Sequence, residues 1–317
     1  MPLTASTTPQ LDMRRLDAGA AALAARAAPA ALGFGLMNLE SGEHYTMNGD
    51  RRFPMQSVFK APLGAAALAE VDAGRLALDE AVIVEAQDLS PAWSPIADAW
   101  PARRDYTVGE ILAAAVTDSD NTAADLLMKR IGGPGAVSAW LGAERLNEIR
   151  VDRYERELQT EIYGMSSFRP DWKGPGFEQA RATVPEATRR AAMAAYMRDP
   201  RDTATPRATL DFLLRLDRYE LLSPASTRRL LQLMLATPRG RDRLLAGFPA
   251  GSRFAHKPGT SGTHLGITTA FNDVGLVTLP DRRSYAVAAF LSGSTLSPEG
   301  QAGLLAELGR LVSASVG

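Results

Sequence analysis

The sequence predicts an α+β protein: a sheet layer assembled from the two ends of the chain, with an all-helical domain inserted between them. Three observations predict it. Strand-like segments cluster near the two ends, helical apolar spacing fills the middle, and one helical segment opens the chain while another closes it. At 317 residues the chain is long enough for about two domains. One is expected over 1–52 and 238–317 and the other over 53–237, with a site between them.

In chain order, residues 11–31 are alanine-rich with helical spacing and meet no breaker before Pro29, so they read as one helix. Residues 33–39 and 44–48 flank Ser41-Gly42 and read as a hairpin. A helix is expected from near Ser57 through Leu68. Residues 108–130 carry apolar positions at mixed three- and four-residue spacing, broken in the middle by Ser119-Asp120-Asn121-Thr122. Two further helices are expected over 206–216 and 226–236. From Arg253 the period changes. Residues 253–257, 266–279 and 284–291 read as three strands, Pro280-Asp281-Arg282-Arg283 as the last turn, and 298–312 as a closing helix.

With 45% hydrophobic and 22% charged residues, the chain can bury a sizeable core and is not disordered. The 35 basic and 36 acidic residues nearly cancel, which leaves no electrostatic footprint for nucleic acid or an anionic membrane surface. Cysteine is absent, so disulfides and thiolate catalysis are excluded. His44, His256 and His264 are too scattered for a histidine-built zinc site, and no metal or cofactor is expected. No apolar run approaches the roughly 20 residues of a membrane span. Met1 is followed by neither a charged n-region nor an apolar h-region, so no secretory signal is read in this chain. Only four of the 35 basic residues are lysine: Lys60, Lys129, Lys173 and Lys257. Lysine can lose its proton in a buried site where arginine cannot.

Two of those lysines fall in short motifs. In Ser57-Val58-Phe59-Lys60 the hydroxyl and the amine stand three apart on one helix face, and a desolvated lysine can serve as the base a serine nucleophile needs. Alone, Ser-x-x-Lys is ordinarily a solvated surface pair. Ser119-Asp120-Asn121 follows 62 residues later, and by itself would be a helix cap. Lys257-Pro258-Gly259-Thr260, continued by Ser261-Gly262, would by itself be a strand end entering a turn. All three in this order and at these intervals are hard to obtain by accident.

Together these motifs resemble those of the class A β-lactamases and, more broadly, the serine penicillin-recognising enzymes, a motif set already tabulated for that family. The resemblance covers nearly the whole chain and includes 151–159, similar to the family's omega-loop segment. It implies a five-stranded antiparallel sheet flanked by the N- and C-terminal helices, beside the inserted helical domain. It also implies a monomeric β-lactam hydrolase, periplasmic or secreted, acting on a small-molecule substrate without cofactor, nucleic acid or membrane. By the resemblance Ser57 is the acylated nucleophile, Lys60 its proton acceptor, and Ser119 the proton donor to the lactam nitrogen. Glu155 activates the water that hydrolyses the acyl-enzyme, and the N–H groups of Ser57 and Thr260 form the oxyanion hole. Asn121 binds the substrate's acyl-amide, and Lys257, with Gly259 and Thr260 beside it, faces its carboxylate. Trp93, in a segment similar to the family's aromatic gate, packs against bound substrate, and Arg153 and Asp202 form the ion pair at the neck of the loop.

Four departures stand out. Pro258 replaces the family's serine or threonine, so the carboxylate contact falls to Thr260 and Arg243, the latter having a solvated surface arginine as its plain alternative. Gln159 replaces the asparagine that helps hold the deacylating water. Asp125 stands where an asparagine supports the omega loop, and together with Trp93 and Lys257-x-Gly-Thr-Ser-Gly it resembles the PER-type extended-spectrum subgroup. A carboxylate at 125 would repel ionised Glu155 and raise its pKa, so a segment remodelled to carry Glu155 away from Asp125 is expected. Lastly, Arg153 and Asp202 lie 49 positions apart, implying an insertion over about 160–198 with a helix over 185–198. Contact between this insertion and the cleft is expected. Two alternatives stay open on the same scaffold: a D-Ala-D-Ala peptidase or esterase, and a penicillin sensor that remains acylated.

Overall fold

The computed structural model describes residues 10–91 and 93–316. Asp12 starts helix α1 (Met13–Ala27), its carboxylate accepting from the Arg15 N–H. The helix stops four residues short of the expected end because Ala28, preceding Pro29, is driven to an extended ψ of 138°. Ala31 then opens β1 (Ala31–Asn38), which turns into β2 (His44–Met47). The other sheet strands come from the far end of the chain: β3 (Arg253–Thr260), β4 (Phe271–Thr278) and β5 (Ser284–Ser292). The five form one antiparallel sheet in the order β2-β1-β5-β4-β3.

Alternation along β5 divides the interior. Ala286, Ala288 and Phe290 enter a core shared with the middle of the chain, whereas Tyr285, Val287, Ala289 and Leu291 enter one shared with α1 and the closing helix. The middle supplies α2 (Lys60–Asp72), α3 (Asn121–Arg130), α4 (Glu155–Glu161), α5 (Glu186–Tyr196), α6 (Pro206–Asp217) and α7 (Pro224–Leu235); the closing helix is α8 (Pro298–Ser315). The architecture is α+β, as the sequence predicts. No helix among the described residues is long and apolar enough to cross a membrane.

Two expectations are corrected. The single strand read over 266–279 is a short hairpin, Thr263–His264 paired with Ile267–Thr268, followed by β4. The insertion holds more than one helix: α5 is preceded by a 3₁₀ turn, Pro170–Trp172, and a helix, Pro175–Ala182. Tyr163, Phe177, Met193 and Tyr196 give the insertion a small core of its own.

Candidate active site

Ser57 lies on a 3₁₀ turn, Gln56–Phe59, and the α-helix begins only at Lys60. In such a turn residues three apart are eclipsed, so the Lys60 ammonium reaches the Ser57 hydroxyl at 3.1 Å. Lys60 is wholly buried, and a buried cation needs partners. Its Nζ also donates to the Ser119 carbonyl at 2.8 Å and to Asn121 Oδ1 at 2.5 Å, and lies 3.1 Å from Glu155 Oε1.

Ser119 ends a π-helical turn, Ala114–Asp118, with a left-handed φ of 61°. Its carbonyl is thereby aimed at Lys60 and its hydroxyl at Lys257, whose Nζ donates to Oγ at 2.9 Å. Lys257 is wholly buried. Burial, reinforced by the charges of Lys60 and Arg243, pushes its ammonium well below the usual lysine range. Asp120, also wholly buried, caps α3 through the Ala123 N–H and accepts from the Ser94 hydroxyl and the Ile96 N–H. It thus fixes the segment beside Trp93, whose carbonyl accepts from the Asn121 N–H at 2.9 Å.

Strand β3 closes the other side. A Cβ on Gly259 would come within 2.4 Å of the Met55 carbonyl, so only glycine lets the strand lie this close to the turn that carries Ser57. Pro258 is accommodated because β3 is a sheet edge. Between the walls is a cleft of about 570 Å³ lined by Ser57, Ser119, Asn121, Gln159, Arg243 and Thr260. Trp93, 48% exposed, stands at its rim with the Arg239 guanidinium 4.1 Å from its ring centroid.

Arg243 is not a surface arginine. It is buried, its guanidinium lies over Phe271 at 3.8 Å, and it donates to Thr260 Oγ1 at 2.5 Å and the Asn272 carbonyl at 2.7 Å. Burial lowers its pKa, opposed by the charges of Asp273 and Asp242.

The expectation for Glu155 and Asp125 needs correction as well. Glu155 has not moved away: as first residue of α4 it donates its N–H to Asp125 Oδ1 at 2.6 Å. Asp125 Oδ2 accepts from the Arg156 N–H at 3.2 Å and from the Ser90 hydroxyl. Asp125 therefore satisfies the N-terminus of α4, where a negative charge is favourable. The group raised is Asp125 itself, pushed up to about 7 chiefly by burial, with the Ser90 bond opposing and the charge of Glu155 adding. The Glu155 carboxylate points instead to Lys60 and to Gln159, whose Nε2 donates to Oε2 at 2.9 Å. That same nitrogen donates to Gln56 Oε1 at 3.1 Å, so only the Gln159 carbonyl is left to hold a water. At the neck, Arg153 Nε donates to Asp202 Oδ2 at 2.6 Å, both side chains buried.

Sequence reasoning missed Gln56, Arg239 and Tyr196. Gln56 is 1% exposed and holds a φ of 46°, a left-handed conformation costing about 1–3 kcal/mol for a residue with a Cβ. Its place just before Ser57 was the one signal available; nothing in the sequence points to the other two.

A family model described as the β-lactamase enzyme family matches residues 15–316. β-Lactamase VEB-1 of Pseudomonas aeruginosa is 30% identical over 291 residues, 90% of this chain and 85% of that protein. The chain belongs to the class A β-lactamases. Extended-spectrum β-lactamase PER-1 of Pseudomonas aeruginosa is 30% identical over 281 residues, 88% of this chain and 80% of its own length. Among solved structures, a β-lactamase from Chitinophaga pinensis superposes with a TM-score of 0.77 at 31% identity, covering 95% of this chain and 98% of that one. An ancestral Gram-negative class A β-lactamase superposes with a TM-score of 0.76 at 33% identity, covering 94% and 99%. As a class A β-lactamase the protein hydrolyses β-lactams, the reaction behind resistance to these antibiotics, and the peptidase alternative gives way.

Proposed function

We propose that hydrolysis runs through an acyl-enzyme on Ser57 that Glu155 clears. Ser57 Oγ attacks the lactam carbonyl carbon while its proton passes to the Lys60–Glu155 pair. The C–N bond breaks, and Ser119, bonded to Lys257, delivers a proton to the departing nitrogen and is reprotonated with the proton the Lys60–Glu155 pair took from Ser57, which leaves Glu155 ionised. The N–H groups of Ser57 and Thr260 hold the oxyanion, typically worth several kcal/mol. Glu155 then takes a proton from water, the water oxygen bonds to the acyl carbon, and Ser57 leaves with its proton restored. Asn121 holds the acyl-amide, Lys257, Gly259, Thr260 and Arg243 the carboxylate side, Trp93 the rim, and Gln159 the water. Arg153, Asp202 and Asp125 hold the loop in place. The domain division is 1–52 with 238–317 against 53–237, the enzyme working as a periplasmic or secreted monomer.

The observation that supports this most is that one buried ammonium, Lys60 Nζ, lies 3.1 Å from both Ser57 Oγ and Glu155 Oε1. Once that ammonium has passed a proton to the Glu155 carboxylate, its amine is a base within proton-transfer reach of Ser57. The test is intact-mass spectrometry after mixing with benzylpenicillin. The wild type should return to its free mass, and Ser57→Ala should form no adduct while keeping its fold by circular dichroism. Normal turnover by Ser57→Ala would sink the assignment, and a wild-type adduct that persists would make the protein a sensor.

A further inference from the structure

One side chain of the insertion between Arg153 and Asp202 is hydrogen-bonded into the group around Glu155. Tyr196, the last residue of α5, is buried, and its hydroxyl accepts from Gln56 Nε2 at 2.8 Å. Gln56 Oε1 accepts from Gln159 Nε2, which also donates to Glu155 Oε2. A continuous chain, Tyr196–Gln56–Gln159–Glu155, therefore joins the inserted helix to the carboxylate that works on water.

Two features argue that the chain is more than packing. Gln56 immediately precedes Ser57 and holds a left-handed backbone, which persists only where surroundings over-determine it. Those surroundings are the two ends of its own amide: Tyr196 fixes the nitrogen and Gln159 the oxygen. Burial also raises the Tyr196 phenol above its usual range, so the hydroxyl stays neutral and available as an acceptor. The ring, by contrast, packs in the insertion's own core with Tyr163, Phe177 and Met193. Hydroxyl and ring thus do separable jobs.

We propose that Tyr196 is a positioning residue for deacylation: its hydroxyl orients the Gln56 amide, which holds Gln159 against Glu155. Without that anchor the Gln56 amide is free to turn, and Gln159 loses the second acceptor that fixes its donor side toward Glu155. The inference rests on the Glu155 reading given above.

The test compares Tyr196→Phe with the wild type in steady-state penicillin hydrolysis and in quenched-flow mass spectrometry. Tyr196→Phe keeps the ring and removes only the acceptor. Slower deacylation lowers kcat and KM together, by about tenfold each, and leaves kcat/KM nearly unchanged, with acyl-enzyme accumulating. Adding Gln56→Ala to Tyr196→Phe should produce little further change, because both act through one chain. Unchanged kcat and KM, or a fall in kcat at constant KM, would overturn the proposal, the latter being a mere loss of active protein. Glu155→Gln serves as the reference. If it accumulates adduct and Tyr196→Phe does not, the positioning role alone fails; if it turns over at the wild-type rate, the underlying reading fails too.

Discussion

Arg243 illustrates how much one missing hydroxyl asks of its neighbours. Pro258 offers the substrate no donor, while Arg243 sits buried beside Thr260 Oγ1 and the β4 backbone. A guanidinium kept charged in so dry a place is a strong partner for a carboxylate, a charged hydrogen bond being worth about 1.5–3 kcal/mol. Arg243→Ala should therefore raise KM by about tenfold or more with a smaller effect on kcat, in steady-state kinetics with penicillins. Pro258→Thr added to that variant should recover part of the loss, since both groups serve one ligand charge. An unchanged KM across β-lactams would limit Arg243 to holding β3 in place. Lys60, Lys257 and Ser119 were legible in the sequence because rare lysines in fixed motifs leave little room for chance. The burial of Arg243 was not, because nothing local says that Phe271, 28 positions on, will cover it.

At the scale of elements, α4 depends on a carboxylate in another helix. Asp125 of α3 accepts from the first two N–H groups of α4 and carries a pKa of about 7. An unfolded aspartate releases its proton near pH 4. Between about pH 4 and 7 the folded protein holds the extra proton, so this group's contribution to stability falls as pH rises and levels off above 7. Asp125→Asn removes the titration and offers one oxygen where the carboxylate offered two. Its stability in urea unfolding should lie below the wild type at pH 5, with the gap narrowing toward pH 8. A gap independent of pH would mean that Asp125 does not titrate in this range. The longer helices and most of the sheet were readable from periodicity, whereas α4 and the helix Pro175–Ala182 were not. The turns that place chemistry were not. The 3₁₀ turn at Gln56–Phe59 and the hairpin at 263–268 are too short to carry a period, and the π-helical turn ends at Ser119, whose carbonyl and hydroxyl meet lysines from distant parts of the chain.

Across the whole molecule, the residues of the proposed site are held where the sheet edge meets the helical layer. Lys257 and Thr260 come from β3, Ser57 from the 3₁₀ turn before α2 and Lys60 from its first residue, Ser119 from the turn before α3 and Asn121 from its first residue, and Glu155 from α4. Ser57, Ser119, Asn121 and Glu155 all meet the buried Lys60 ammonium, and Lys257 joins them through the Ser119 hydroxyl, so motifs far apart in the chain come to one place. The enlarged loop joins the same assembly through Tyr196, and its position could not be read from a stretch with no counterpart in the resemblance. The central claim is that Glu155 activates the water that frees Ser57. The most direct measurement is the lifetime of the acyl-enzyme in Glu155→Gln, followed by intact mass after rapid mixing with benzylpenicillin. If Glu155 is the general base, Ser57 still acylates and the adduct persists, with deacylation slowed on the order of a hundredfold or more. Clearance of the adduct at the wild-type rate would contradict it and pass the role to another group.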